Sequence, residues 1–435
     1  SLYSETNNFS IFKPNESDYH QNYYRMEACV NCSKRSAGPL SLFANGQFVR
    51  LWAIGGLAGA MRWLEILVIG IYTFQVSNSP FVVSLMLVAR MAPMVLFSTV
   101  VGAFVESMDR RHIQIGACIL MTLGAGSIAA TAATEIINLP LLAVIAFLNG
   151  LGWSMEFPVR RALLGNAVET KWLGNAMSFD TATNSATRMI GPSIGGAVYQ
   201  ILGLEGAYVI ATSVYALTII FALGLTSPQS SYVTKMGENL LSRLHSGVSY
   251  ARRNHVITSV FVITVILNLF AFCYSSIIPV WALESFQATP ILVGLLASAE
   301  GGGAFLGATI LAFWARPKYF QRVFLAGAIL FLSGLLIASK LTFYGAALLA
   351  LFGAGVGIAA FGAMQSTLVL KETAPEFRSR VMGVLAACIG TAPFGVLNIG
   401  WIAELTSAGT AIALTSTLGL ALIVFVTWRW PSIWR

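Results

Sequence analysis

The chain has 435 residues, 56% of them hydrophobic and only 10% charged, with a mean hydropathy of +0.74. A soluble domain carries roughly 25% charged residues, which excludes a soluble core of this size. The formal net charge of +8 is scattered through short connections rather than gathered on one face, a pattern of anchoring against anionic lipid and not of nucleic-acid binding.

The chain opens at Ser1, with Met26 an internal candidate for a natural start. Residues 1–47 are polar, rich in Asn and Ser, and lack the basic and apolar regions of a signal peptide. They are assigned to a cytoplasmic tail, where the sequons at Asn8, Asn15 and Asn31 would stay unmodified. Cys29 and Cys32 form one C-x-x-C with no second pair and no βαβ context, so neither metal nor redox chemistry is assigned to them.

Beyond the tail the sequence predicts twelve apolar spans, each near the 20 residues that cross the ~30 Å hydrocarbon core of a bilayer. The first six cover residues 51–75, 80–106, 113–135, 139–159, 173–200 and 205–226. The second six cover residues 255–283, 290–314, 322–340, 342–370, 380–404 and 407–428. The expected fold is an all-α polytopic membrane protein with two six-helix bundles at 48–226 and 255–428. A cytoplasmic linker covers 227–254 and a short cytoplasmic C-terminus 429–435.

Lys and Arg fix the expected orientation. With the N-terminus inside, 22 of the 26 fall in the tail, the linker, the C-terminus and alternate connections, and Lys340 alone falls on the other side. Arg62, Arg90 and Arg188 lie within spans. This bias places both termini in the cytoplasm and the chain in the inner membrane. The halves also repeat weakly at an offset of 205 residues: Gly102 with Gly307, Arg111 with Arg316, Gly150 with Gly355, Gly152 with Gly357 and Met177 with Met382. Parallel six-helix repeats are a known transporter plan.

Between spans two and three stands Gly102-Ala-Phe-Val-Glu106-Ser-Met-Asp109-Arg110-Arg111. It resembles the cytoplasmic G-x-x-x-D-R-x-G-R-R signature of the major facilitator superfamily, with Glu106 for the usual Asp, Ser107 for the first Arg and Asp109 for Gly. Span five carries Arg188-Met-Ile-Gly191-Pro192-Ser-Ile-Gly195-Gly196, similar to the G-x-x-x-G-P-x-x-G-G motif of antiporting exporters, with Thr187 in place of the first Gly. Phe157-Pro-Val-Arg-Arg and Pro375-Glu-Phe-Arg-Ser-Arg fit the same branch, the transmembrane secretion effectors that export drugs and siderophores. The resemblance implies the major facilitator fold over about residues 45–430. It also implies a conformational lock at Gly102, Glu106, Asp109, Arg110 and Arg111, and close helix packing at Gly191, Pro192, Gly195 and Gly196.

Ionisable residues inside spans are costly and mark a pathway by default. Arg62, Glu65, Arg90, Asp180, Arg188 and Glu300 are therefore the candidate cargo and proton residues. Arg62 and Glu65 share a helical face at a spacing of three, where mutual neutralisation rivals a cargo role. Glu300 precedes Gly301, Gly302 and Gly303 and has no basic neighbour in sequence, which marks it for proton coupling beside water; Asp180 has Arg188 two turns on. Glu284 and Glu404, at span ends, are expected to be solvated. His20, His112, His245 and His255 make no metal cluster in sequence, and no G-x-x-x-x-G-K-[ST] loop occurs. No cofactor is expected.

The reading is a secondary active transporter, exporting an amphipathic small molecule coupled to protons, with the bilayer as its solvent and no nucleic-acid partner. The alternatives are a carrier of another cargo or direction, such as a lysophospholipid or metabolite, and a non-transporting membrane sensor or scaffold.

Overall fold

The computed structural model describes residues 39–107, 109–169, 172–226, 246, 248–314, 317–374 and 377–430. The expected tail, most of the expected linker and the Cys29–Cys32 pair thus lie outside the described residues. Every regular element among the described residues is helical. Ten helices there are long and apolar enough to cross a membrane.

The first four helices are α1 (Gly46–Ser77), α2 (Pro80–Ser107), α3 (Arg110–Ala133) and α4 (Leu139–Ala167). Polar side chains start them where their first N–H groups have no partner in the helix. Asn45 Oδ1 accepts from the N–H of Gln47 (3.0 Å) and Phe48, Asp109 Oδ1 accepts from Arg111 N (2.9 Å), and Asn138 Oδ1 accepts from Leu141 N (2.9 Å). α4 runs past the expected end at 159 and carries Pro158 within it, so Arg160 belongs to the helix and is buried.

α5 (Leu173–Leu223) has 51 residues. Straight, it would be about 76 Å long, yet both ends meet the start of α1. Phe179, near its start, packs edge-on against Phe43 just before α1 (ring centres 5.3 Å apart), and Arg50 Nη1 donates to Gly224 O (2.6 Å), just past its end. The helix folds back at Gly203, whose φ of 64° and ψ of −164° lie in a region only glycine readily adopts.

The second part contains α6 (His255–Phe270), α7 (Ile278–Phe286), α8 (Pro290–Trp314), α9 (Phe320–Lys340), α10 (Tyr344–Glu372), α11 (Arg378–Ile389), α12 (Ala392–Leu405) and α13 (Ala408–Arg429). Two expected continuous spans are broken. α6 and α7 are separated by a 3-10 turn at Phe272–Ser276, and α11 and α12 by Gly390 and Thr391. The physical cause is shared: α7 and α12 each carry a proline in the first turn, Pro279 and Pro393, which has no N–H to continue the preceding ladder.

Apolar packing gathers in two clusters. One runs from Leu42 to Leu225; the other is built mainly from Ala251 to Val426, with Leu67, Ile71 and Val83 reaching into it. Among the described residues, the two parts meet at the end opposite the basic connections. Gly70 lies against Pro279, Gly196 against the Pro290 carbonyl, Gly294 against Pro192 and Gly301 against Met189, so that backbones approach where a Cβ would collide. Phe81 and Trp401 pack edge to face.

Candidate functional site

Between the two parts lies a cavity of about 560 Å³, within the ~300–1,000 Å³ range of small-molecule sites. Arg62, Trp63, Trp153, Asn184 and Arg188 line it from the first part, and Ser275, Ile278, Pro279, Glu300 and Ile389 from the second. The breaks between α6 and α7 and at the end of α11 both open onto it. Interrupted membrane helices place free backbone and small polar groups at such sites.

The candidate charges pair differently from their spacing in sequence. Arg62 does not neutralise Glu65. Its Nη2 donates to Asn184 Oδ1 (2.7 Å), and its guanidinium lies 5.3 Å and 5.0 Å from the ring centres of Trp63 and Trp153. Glu65, fully buried, accepts instead from Arg90 Nη2 (2.6 Å), Tyr215 OH (3.1 Å) and Asn149 Nδ2 (3.2 Å). Three helices beyond α1 thus converge on this carboxylate, and Arg90 joins the cavity lining.

Glu300 has the basic partner that its sequence neighbourhood lacks. Arg188 of α5 donates to its Oε1 across the junction, and the Tyr274 hydroxyl donates to its Oε2. The three following glycines do not hold open space. Gly301 seats the backbone of Met189, and Gly303 seats the Phe352 carbonyl, so both are points of close helix approach.

Asp180 does not pair with Arg188 and is absent from the cavity lining. It is buried at the basic end, where Arg160 Nη1 donates to its Oδ1 and Arg161 Nε to its Oδ2 (3.0 Å). Arg160 also donates through Nε to Glu156 (2.6 Å), buried one turn earlier on α4. Glu156 was missed because Pro158 and Arg160-Arg161 read as the end of a span; the Glu–Arg spacing of four was the available signal.

In the signature stretch, the side chains of residues 97–107 lie outside the described residues, so Gly102 and Glu106 are placed only as part of α2. Asp109 caps α3, and Arg111 Nη2 donates to Leu223 O (2.8 Å), capping the end of α5. Arg110 begins α3, half-buried. In the second motif, Gly191 and Gly195 seat α1 at Trp63 and Leu64, while Gly196 and Pro192 meet α8. Ser193 adds hydrogen bonds from N (3.1 Å) and Oγ (2.8 Å) to Ser298 Oγ. α5 is therefore clamped between α1 and α8 beside the cavity.

The opposite end carries a second contact between the parts. Glu404, on α12, accepts from Ser79 Oγ (2.6 Å) and Phe81 N (3.2 Å), at the start of α2. Glu284 likewise accepts from Ala408 N (3.2 Å) at the start of α13. Both are exposed, as expected at span ends, and each also caps a helix.

A family profile described as transmembrane secretion effector matches residues 37–433. Macrolide efflux protein A of Streptococcus pyogenes is 22% identical over 397 residues, covering 87% of this chain and 94% of that protein. Multidrug efflux pump Tap of Mycolicibacterium fortuitum is 24% identical over 364 residues, covering 80% and 87%. The crystal structure of nucleoside transporter NupG superposes with a TM-score of 0.67 at 12% identity, over 89% of this chain and 99% of that one.

Proposed function

Because the chain belongs to the transmembrane secretion effectors, multi-pass membrane transporters of the major facilitator superfamily and not enzymes, we propose that it exports an amphipathic small molecule by proton-coupled alternating access. The observation that carries this reading is the cavity itself. It is drug-sized, is lined from both parts of the chain, and has an ion pair, Arg188–Glu300, joining those parts at its wall. A carboxylate there can be protonated on one side and released on the other, which changes the contact between the parts.

The reading includes twelve crossings in two six-helix halves. Counting the Gly203-folded α5 twice and adding α2 brings the ten membrane-length helices to twelve. Both termini and the basic connections face the cytoplasm of the inner membrane, on the charge bias of the sequence. Among the described residues the contacts between halves gather at the other end, which supports a cavity open towards the cytoplasm, the side from which an exporter loads. The relatives' functions, macrolide and multidrug efflux, support cargo of this size.

Inside-out vesicles containing the full chain test it. A panel of amphipathic dyes and drugs should include one that accumulates when the lumen is acidified and leaks back when a protonophore is added. No accumulation of any member, or accumulation indifferent to the protonophore, removes the proposal. Cysteines at Ser77 and Gln287 should react with an impermeant reagent from outside whole cells, and one at Thr226 should not.

A further inference from the structure

The polar groups around the cavity are unevenly matched. Both carboxylates are engaged: Glu300 accepts from Arg188 and Tyr274, and Glu65 from Arg90, Tyr215 and Asn149. Asn184 Oδ1 is held by Arg62. The indole N–H groups of Trp63 and Trp153, Nη1 of Arg90 and the acceptor Asn149 Oδ1 are buried without partners among the described residues and closed off from the cavity. Arg62 is the donor left over. Arg62, 8% exposed, gives a single N–H to Asn184 and has no carboxylate within 4.0 Å among those residues.

Charge runs the same way. Arg62, Arg90 and Arg188 face two carboxylates, Glu65 and Glu300, leaving one positive charge at the cavity. The neighbouring cluster of Glu156, Asp180, Arg160 and Arg161 is balanced within itself, so the attraction of Glu156 for Arg62 is opposed by the repulsion of Arg160. An uncompensated cation in a low-dielectric site is unfavourable, and one kind of guest relieves it. That guest brings oxygen acceptors and a negative charge. The Trp63 and Trp153 rings beside Arg62 supply the flat apolar walls for the rest of it.

We infer that the cavity selects cargo carrying an oxyanion, such as a carboxylate, sulfonate or phenolate, on an apolar or aromatic body, and that Arg62 receives the anion. This rests on the reading of the cavity as the cargo site. It narrows that reading from amphipathic molecules in general to amphipathic anions.

The test uses two dyes with the same xanthene body, the fluorescein anion and the cation rhodamine 123, binding to the purified full chain in detergent, followed by fluorescence anisotropy. Fluorescein should bind about tenfold or more tightly, the scale of one charge-assisted hydrogen bond. Arg62→Gln should remove most of that preference and Arg62→Lys should keep part of it. Trp153→Ala, which removes an apolar wall and leaves the charge in place, should weaken both dyes alike. Equal affinities, a preference for rhodamine 123, no fluorescein binding, or an unchanged ratio in Arg62→Gln overturns the inference. Should Arg62→Gln fail to fold, a ratio unchanged in Arg62→Lys overturns it as well. Binding is read without any gradient, so the two proposals fail separately. Selective fluorescein binding without driven flux removes export alone, whereas driven flux of rhodamine 123 without fluorescein recognition removes the anion site alone.

Discussion

Arg188 and Glu300 lie 112 residues apart in sequence and form an ion pair across the junction of α5 and α8, with the Tyr274 hydroxyl on the other oxygen of the same carboxylate. A group held by two donors from different helices is fixed in place while ionised and loses the ionic part of that grip when protonated.

Replacing Glu300 by Gln should therefore abolish pH-driven export while leaving energy-independent exchange of cargo, measured in the same vesicles. The change also strands the Arg188 guanidinium. Its side chain is 26% exposed, so the destabilisation should stay below the ~3–5 kcal/mol of a fully buried broken pair. The double variant Arg188→Gln/Glu300→Gln should recover thermal stability relative to Glu300→Gln alone. Full pH-driven export in Glu300→Gln would move the coupling role to Glu65.

At the opposite end, Glu404 holds the start of α2 through Ser79 and Phe81. A carboxylate capping a helix N-terminus is worth about 0.5–2 kcal/mol, enough to change a two-state population several-fold. Glu404→Ala should then raise the rate at which an impermeant thiol reagent reaches a cysteine at Ser84, buried beside Ser276. An unchanged rate means the contact does not hold this end closed.

The succession of membrane-length helices was legible because hydropathy is a property of short windows. The pairing of buried charges was not. Glu65 has Arg62 one turn away yet binds Arg90 of another helix, because the Arg62 guanidinium is drawn to Asn184 and two indole rings. Gly301 and Gly303 read as room for water and turned out to be helix contacts, since a glycine in sequence does not say which neighbour it admits. The offset of 205 residues, by contrast, had physical content. Gly150 seats the backbone carbonyl of Arg90, and its counterpart Gly355 seats that of Glu300. Each half thus presses a small residue against the backbone of a charged residue at the cavity wall.

That correspondence gives a prediction with an internal control. A Cβ at Gly355 would meet Ala304 N at 2.8 Å as well as the Glu300 backbone, whereas one at Gly353 meets nothing within 4 Å. Gly355→Ala should cost about 1–3 kcal/mol by overpacking and depress transport by displacing Glu300; Gly353→Ala should do neither. Thermal unfolding in detergent and initial export rates would show it. Equal behaviour of the two variants would mean the close approach is not needed.

The last prediction separates a carboxylate that holds the fold from one that serves transport. Asp180 is 3% exposed and binds two arginines, Arg160 and Arg161, while Glu156 holds Arg160 from the other side. Gly55 leaves space for the same guanidinium, since a Cβ there would come within 2.6 Å of Arg160 Cζ. Three helices are therefore joined at one buried cation. Asp180→Asn leaves Arg160 with a single carboxylate and Arg161 with none from this cluster. Arg161 is 38% exposed, so the cost arises mainly at Arg160 and should approach ~3 kcal/mol. Expression and thermal stability should fall, and exchange and pH-driven export should fall together, in contrast to Glu300→Gln. Loss of driven export alone in Asp180→Asn, with normal stability and exchange, would instead put Asp180 on the proton path.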